Sequence, residues 1–331
     1  MPLEQASAPV MGSSTLAVRV AARCQEAEGI CAFELVHPEG QDLPAFTAGA
    51  HIDVHLPNGL VRPYSLCNAP SERHRYLIAV LHEPASRGGS HAMHEEVAAG
   101  ALLRISAPKN HFALAPQAEH SLLLAGGIGI TPLLAMAEAL TAAGASFELH
   151  VCARSRARAA FHARLAAADF SSRVLCHFDD GADAQKLDIG ALLAGARPGT
   201  HLYVCGPKGF MDAVLGAARS GGWDEARLHF EFFTGDIGAS DADTPFQVQI
   251  ASSGQIIDVS SSQTVTEALA DAGVVVETSC EQGVCGTCLT RVLVGDPDHR
   301  DLFLTPAEKQ RKDQMLPCCS RSHSPLLVLD L

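Results

Sequence analysis

Residues Ser279 to Val292 read SCEQGVCGTCLTRV, and the rest of the chain is best understood outward from them. Cys280, Cys285 and Cys288 stand at C-x4-C-x2-C, and LPCCSRS, Leu316 to Ser322, brings two more thiols downstream. A C-x4-C-x2-C run with a distant fourth cysteine is the plant-type spacing for a [2Fe-2S] cluster. Such a loop wraps tightly round its metal and aims backbone N–H groups at the sulfurs. Gly283 and Gly286 allow that close approach and the dihedrals it needs. A structural zinc site would show two short Cys-x-x-Cys knuckles, and only one is present. Cys318 and Cys319 are neighbours. In an extended segment their side chains would point to opposite sides, so one of the two is expected to reach the cluster. Cys318 is favoured.

Composition fits a multidomain chain with reduced thiols. The 331 residues are 47% hydrophobic and 18% charged, enough for two or three cores at roughly 100–200 residues per domain. Eleven cysteines is an odd number, and Cys24, Cys31, Cys67, Cys152, Cys176 and Cys205 are scattered singly, which suits a cytoplasmic protein better than a disulfide framework. The opening MPLEQASAPVMGSS lacks a basic segment followed by an apolar core, so a tail rather than a signal peptide is expected over residues 1–14. A net charge of −13 excludes the basic footprint of a nucleic-acid binder. It suits either solubility or docking to a basic protein surface. SLLLAGGIGITPLLAMA, Ser121 to Ala137, is uncharged over 17 residues, but glycines and Pro132 interrupt it. It reads as strand, turn and helix, not as a membrane span.

Three units follow from the change of rhythm along the chain. Residues 15–115 alternate as short strands, with Pro57-Asn58-Gly59 turning HIDVHL back into LVRPYSL, and predict an antiparallel β-barrel. Residues 116–234 alternate strands with helices: SLLLAGG, TPLLAMAEALTAAG, FELHVCA, RAAFHARLAAA, RVLCHF, KLDIGALLAG, HLYVCG, KGFMDAVLGAARSGG and LHFEFF. That order predicts a doubly wound α/β unit on a parallel sheet, with Thr131 as N-cap, Pro132 at the first helical position and Gly144 as the stop. Residues 235–244 have linker composition. Residues 245–331 open with a hairpin at Ser253-Gly254, then a helix capped by the Thr264/Glu267 box and ended by Gly273, then the cysteine loop and a strand. They predict a small α+β domain, which the family resemblance given below implies is of ferredoxin (β-grasp) type.

Further motifs lie in the first two units. RPYS, Arg62 to Ser65, offers a cation for a phosphate, a ring to lie on an isoalloxazine and a hydroxyl for its reactive edge. SRGGS, Ser86 to Ser90, adds Arg87 and the donors of Gly88, Gly89 and Ser90 at a helix start. Either could be an ordinary edge strand or surface turn alone. AGGIGITP, Ala125 to Pro132, and CGPKGFM, Cys205 to Met211, are strand-to-helix turns on one edge of the sheet, where nucleotides bind. The first is not a full G-x-G-x-x-G, since Pro132 takes the last glycine position. The acid expected after the second strand is replaced by ARSRAR. HAMHEE, His91 to Glu96, lacks H-E-x-x-H spacing and reads as exposed histidines, and Cys67 reads as a small buried side chain.

This succession of RPYS and SRGGS, GGIGITP and CGP, and a carboxy-terminal cysteine loop resembles the phthalate dioxygenase reductase family, which includes vanillate O-demethylase reductases, over about Thr15 to Leu331. The resemblance implies FMN rather than FAD, with Arg62, Tyr64 and Ser65 on the flavin, Arg87, Gly89 and Ser90 on its phosphate, and Phe233 (or its neighbour Phe232) near the ring. It implies Gly127, Thr131, Cys205, Gly206 and Pro207 at the nicotinamide site, with NADH as donor. Arg154, Ser155, Arg156 and Arg158 keep NADPH open, since they could grip a 2′-phosphate. The implied activity is an NADH-dependent reductase passing electrons through FMN and a [2Fe-2S] cluster to a terminal Rieske and non-haem iron oxygenase, with no side-chain acid or base in the hydride step and a monomeric chain. Supply of a cytochrome P450 is the enzyme-level alternative. An iron–sulfur redox sensor is the other, and would not need both flavin and nucleotide sites.

Overall fold

The computed structural model describes residues 15–84, 86, 88–233 and 243–331. The expected tail, Arg87 and most of the expected linker lie outside the described residues. Three sheets account for the three rhythms of the sequence.

The first is a six-stranded antiparallel sheet of barrel type in the order β4-β3-β6-β1-β2-β5. Its strands are β1 (Leu16–Ala27), β2 (Ile30–Val36), β3 (His51–His55), β4 (Val61–Ser65), β5 (Tyr76–Leu81) and β6 (Leu102–Ile105), with helix α1 (Gly89–Glu95) between the last two. Alternation drives it. Val18 and Val20, Ile52 and Val54, and Ile78 and Val80 all bury their side chains in one core with Phe33 and Met93, each contributing about 1.5–3 kcal/mol. Gly59, with φ of 83°, closes the β3–β4 turn, where the Leu56 N–H donates to the Leu60 carbonyl at 2.8 Å. That hairpin matters most, because it sets Asp53 opposite Pro63 and Val54 opposite Arg62.

The second sheet is parallel throughout, in the order β11-β10-β7-β8-β9. Its strands are β7 (His120–Gly126), β8 (Phe147–Ala153), β9 (Val174–Phe178), β10 (Thr200–Cys205) and β11 (Leu228–Glu231). Helices α2 (Ile130–Ala142), α3 (His162–Ala167), α4 (Ile189–Ala194) and α5 (Lys208–Ser220) cover it. Successive residues of β7 serve opposite faces: Leu123 and Ala125 pack with α2 residues such as Leu133 and Leu134, while Leu122 and Leu124 pack with Met211 and Val214 of α5. This is why the strand reads as a continuous apolar run.

Two helix expectations are corrected here. Thr131 is not an N-cap, because a 3-10 turn over Gly127–Gly129 leads into α2 and places Thr131 inside the first turn, its hydroxyl donating to the Ile128 carbonyl at 3.0 Å. The helix expected over RAAFHARLAAA shrinks to α3, because Phe161 takes a left-handed φ of 59° while its ring sinks into the core.

The third sheet runs β13-β12-β18-β14-β16. It contains β12 (Phe246–Ile250), β13 (Ile256–Val259), β14 (Thr290–Val294), β16 (Gln314–Met315) and β18 (Leu326–Leu329), beside the short pair β15 (Pro297–Asp298) and β17 (Arg321–Ser322). Helix α6 (Val265–Asp271) carries the expected Thr264/Glu267 capping box, and α7 (Pro306–Arg311) carries a second, Thr305/Glu308. Val265, Leu269, Val248 and Leu327 share its core. Among the described residues no helix is long and apolar enough to cross a membrane.

Candidate functional site

The cysteine loop fills the gap between α6 and β14, and its thiols are almost wholly buried. They fall into two pairs: Cys280 with Cys285, and Cys288 with Cys318. A [2Fe-2S] cluster held by four cysteines takes two thiolates at each iron, so the pairing fits the group. The donors fit as well. The Gln282 N–H donates to Cys280 Sγ at 3.3 Å, and backbone N–H groups of Thr287 and Gly283 reach Cys285 and Cys318. A donated bond from Cys280 draws the Cys285 thiol down, and bonds from Cys288 and Cys319 draw the Cys318 thiol down. Gly283 and Gly286 take φ of 69° and 74°, and a Cβ on either would collide with the Cys319 sulfur or the Phe303 ring.

The premise of an extended LPCCSRS segment is corrected. Pro317 to Cys319 form a turn, closed by the Ser320 N–H on the Leu316 carbonyl at 2.9 Å, so both thiols are buried on the loop side. They differ in partners. Cys318 meets both Cys288 and Cys319, whereas Cys319 meets Cys318 and also points its Sγ to the Leu316 carbonyl at 3.6 Å.

A cleft of about 1030 Å³, its open mouth included, runs between the barrel, the parallel sheet and the cysteine loop. Arg62, Tyr64 and Ser65 of β4 line it together with Gly89 and Ser90 of α1, Thr131, Phe233 and Cys280. The structure thus gathers residues expected at the flavin, one expected at the nicotinamide and one expected at the cluster. Phe233 faces the cleft, while Phe232 packs edge-on against Phe230 at 5.6 Å. Gly89 lacks a Cβ where the Arg62 stem lies, 2.8 Å from the place one would occupy. Burial in the cleft wall pushes the Tyr64 phenol up. Arg87 lies outside the described residues.

The two glycine turns meet edge to edge, because β7 and β10 pair with Ala125 opposite Cys205. A Cβ on Gly206 would stand 2.9 Å from Gly126 Cα, and one on Gly129 would overlap the Cys205 carbonyl. These glycines serve packing. Gly127 is different: its φ is 53° and nothing stands within 4 Å of where its Cβ would be. Cys205 is fully buried, and its thiol is pushed well up by desolvation and by Glu231. Arg154 and Arg156 are exposed after β8, while Arg158 pairs with Glu28 at 3.2 Å.

Sequence reading missed two carboxyls. Glu231, at the end of β11, accepts from the Ser65 hydroxyl at 3.2 Å, and desolvation pushes its carboxyl up to about 8. Its signal was an acid between aromatics in HFEFF. Asp53 of β3 is buried, accepts from Lys109 Nζ at 2.8 Å, and accepts a short hydrogen bond from the Ser279 hydroxyl. Its signal was an acid on the core-facing run HIDVH. Of the histidines set aside, His94 gives its Nε2 to the Val80 carbonyl at 2.8 Å, and His91 pairs with Glu95 at 3.0 Å. Cys67 is buried as expected, its thiol donating to the Leu77 carbonyl at 3.1 Å.

Comparison with known proteins extends this geometry. Residues 248–323 match the 2Fe-2S iron-sulfur cluster binding domain family, and residues 105–228 match the N-terminal domain of the dimethylamine monooxygenase subunit DmmA-like family. The chain is 56% identical over 313 residues to the vanillate O-demethylase oxidoreductase of Pseudomonas putida, covering 94% of this chain and 98% of that protein. Among solved structures, a phthalate dioxygenase reductase described as modular for electron transfer from pyridine nucleotides to [2Fe-2S] is 39% identical, with a TM-score of 0.75 over 96% of this chain and 98% of that one. An intact type IV self-sufficient cytochrome P450 monooxygenase is 37% identical, with a TM-score of 0.84 over 98% of this chain and 43% of that one.

Proposed function

The chain belongs to the family of phthalate dioxygenase reductases and vanillate O-demethylase oxidoreductases, and from that premise we propose that it is the NADH-dependent reductase component of a Rieske-type aromatic oxygenase or O-demethylase. The observation that carries the reading is the single cleft lined at once by Ser65, Thr131 and Cys280. Those three residues come from the three units, so a flavin in the cleft would touch both the nucleotide side and the cluster side. When bound, the nicotinamide supplies a hydride, the flavin accepts the pair and releases it singly, and the cluster carries one electron at a time; the protein contributes positioning.

The residues have distinct tasks under this reading. Arg62 and the start of α1 hold the flavin's phosphate side, and Tyr64 and Phe233 border its ring. The Ser65 hydroxyl is oriented by Glu231. Because that carboxyl stays largely protonated below about pH 8, it places no charge beside the reacting edge. Gly127 leaves the space for the nucleotide, and the buried Cys205 thiol stays neutral beside it. Cys280, Cys285, Cys288 and Cys318 ligate the cluster. On this reading the protein works as a cytoplasmic monomer. Its electrons leave for an oxygenase rather than a P450, in keeping with the oxygenase and demethylase reductases that match along their whole length.

Anaerobic purification with assay of iron, sulfide and released flavin tests the reading. It should return one [2Fe-2S] cluster and one FMN per chain, and rapid mixing with NADH should bleach the flavin before the cluster. Zinc in place of iron and sulfide, or the reverse order of bleaching, overturns it. A kcat/KM ratio favouring NADPH overturns the nucleotide assignment alone.

A further inference from the structure

Cys280 is fastened to the barrel through both of its chain neighbours. Ser279, immediately before it, is buried and donates its hydroxyl to one carboxylate oxygen of Asp53 on β3. Glu281, immediately after it, pairs with Arg62 of β4 at 3.2 Å, and the same guanidinium donates to the Ser279 carbonyl at 3.4 Å. β3 and β4 are the two arms of one hairpin, so both fastenings rest on a single rigid element. Glu281 takes a left-handed φ of 55°, which a side chain adopts only when its surroundings impose it.

Asp53 is the more telling half. Its second oxygen accepts from Lys109 Nζ at 2.8 Å, inside the barrel's own unit. The first oxygen is served from the cysteine loop, 226 positions away. With the ferredoxin unit drawn off, a carboxylate only 4% exposed in the docked protein would lose a charge-assisted bond, and such bonds are among the stronger ones.

Resting on the electron route given under the proposed function, we propose that Asp53 and Ser279 form an interdomain catch that holds Cys280, the cluster's flavin-facing ligand, against the cleft and thereby sets the rate at which electrons pass from flavin to cluster. Asp53 is a positioning residue here, not a catalytic one. Each electron leaving the reduced flavin is taken up by the cluster and then by the oxygenase, so no further oxidant enters. Arg62 fastens the other side but also serves the flavin, which leaves Asp53 and Ser279 as the pair that can be tested separately.

The test uses the full-length holoprotein with Ser279→Ala, Asp53→Ala and the double variant, each first checked for the wild-type flavin and cluster spectra. Rapid mixing with NADH should show flavin reduction at the wild-type rate and cluster reduction slowed about tenfold or more. The double variant should be no slower than either single one, since the two residues act as one pair. Amide hydrogen exchange over residues 279–286 of the oxidised, nucleotide-free protein should rise in all three, a change independent of turnover. Unchanged cluster reduction or unchanged exchange overturns the proposal. So does equal slowing of both steps. Loss of the cluster in Asp53→Ala, whose cysteine loop is untouched, assigns Asp53 to folding and overturns it too. A wild-type protein in which reduced flavin never bleaches the cluster would instead remove the electron route itself.

Discussion

The two ends of the cleft are built on opposite principles. At the end proposed for the nucleotide, behind Ile128 and Thr131 of the lining, the glycine turns after β7 and β10 press backbone on backbone, with Gly129 under the Cys205 carbonyl and Gly206 against Gly126. Shape comes from the absence of side chains, and the paired strands beneath make it rigid. At the cluster end, among the described residues, no strand joins the barrel to the ferredoxin sheet. Position there depends on a few side-chain bonds, namely Asp53 with Ser279 and Arg62 with Glu281, and on the ring of Phe303 set edge-on to His111 at 5.4 Å. A packed turn resists enlargement and tolerates little else, whereas a side-chain catch can be removed one atom at a time without unfolding either unit. The nucleotide must meet the flavin at one fixed angle. The ferredoxin unit must meet both the flavin and an external partner.

Substitutions at the two ends should therefore fail in different ways. The largest effect is expected in the cysteine loop: Cys280→Ser, Cys285→Ser, Cys288→Ser or Cys318→Ser should each abolish the visible cluster spectrum while NADH-dependent reduction of an artificial flavin-level acceptor continues. Cys319→Ser should keep the cluster. Retention of the cluster in Cys318→Ser, with loss in Cys319→Ser, would exchange their roles. Next comes Gly129→Ala, whose Cβ has no free volume and whose obstacle is backbone. Overpacking of that kind costs about 1–3 kcal/mol, read as a lower denaturation midpoint with the cluster spectrum intact. Gly127→Ala meets open space but keeps a φ of 53°, so it should cost about 1 kcal/mol. Equal losses at the two glycines would erase the distinction between a packing glycine and a ligand-facing one.

What the sequence disclosed follows the range of each interaction. Cys280, Cys285 and Cys288 were legible because ligand spacing is local, and the same holds for Thr264 with Glu267. The equivalent box at Thr305 and Glu308 went unread because α7 buries no residue and shows no apolar period to mark it. Phe161 reads as helical in the sequence because its left-handed turn is imposed by the core its ring enters. Thr131 reads as a cap because the preceding 3-10 turn has no side-chain signature. Asp53 and Glu231 stand out only as acids within apolar runs, and their roles are not legible because their partners lie 226 and 166 positions away. Pairings of that length belong to the docking of units, and no periodicity within one unit records them.

Glu231 gives the most discriminating expectation, because its carboxyl, on the parallel sheet, accepts from Ser65 of the barrel. Its carboxyl is raised from an ordinary 4.5 to about 8 by desolvation, the Ser65 hydroxyl opposing that only in part. Between those two values the folded protein keeps a proton that the unfolded chain has released. Stability from this group is therefore full below about pH 4.5, falls as pH rises, and levels off above about pH 8. Glu231→Gln keeps the shape and the bond from Ser65 but has no proton to lose. The variant should gain on the wild type steadily as denaturation midpoints are followed upward from about pH 5 to pH 8, and the gap should then stay constant. Parallel curves would show that Glu231 ionises normally, and a charge would then stand beside Ser65 at neutral pH. A nucleotide end shaped only by packing would be refuted with it, since one of its walls would be electrostatic.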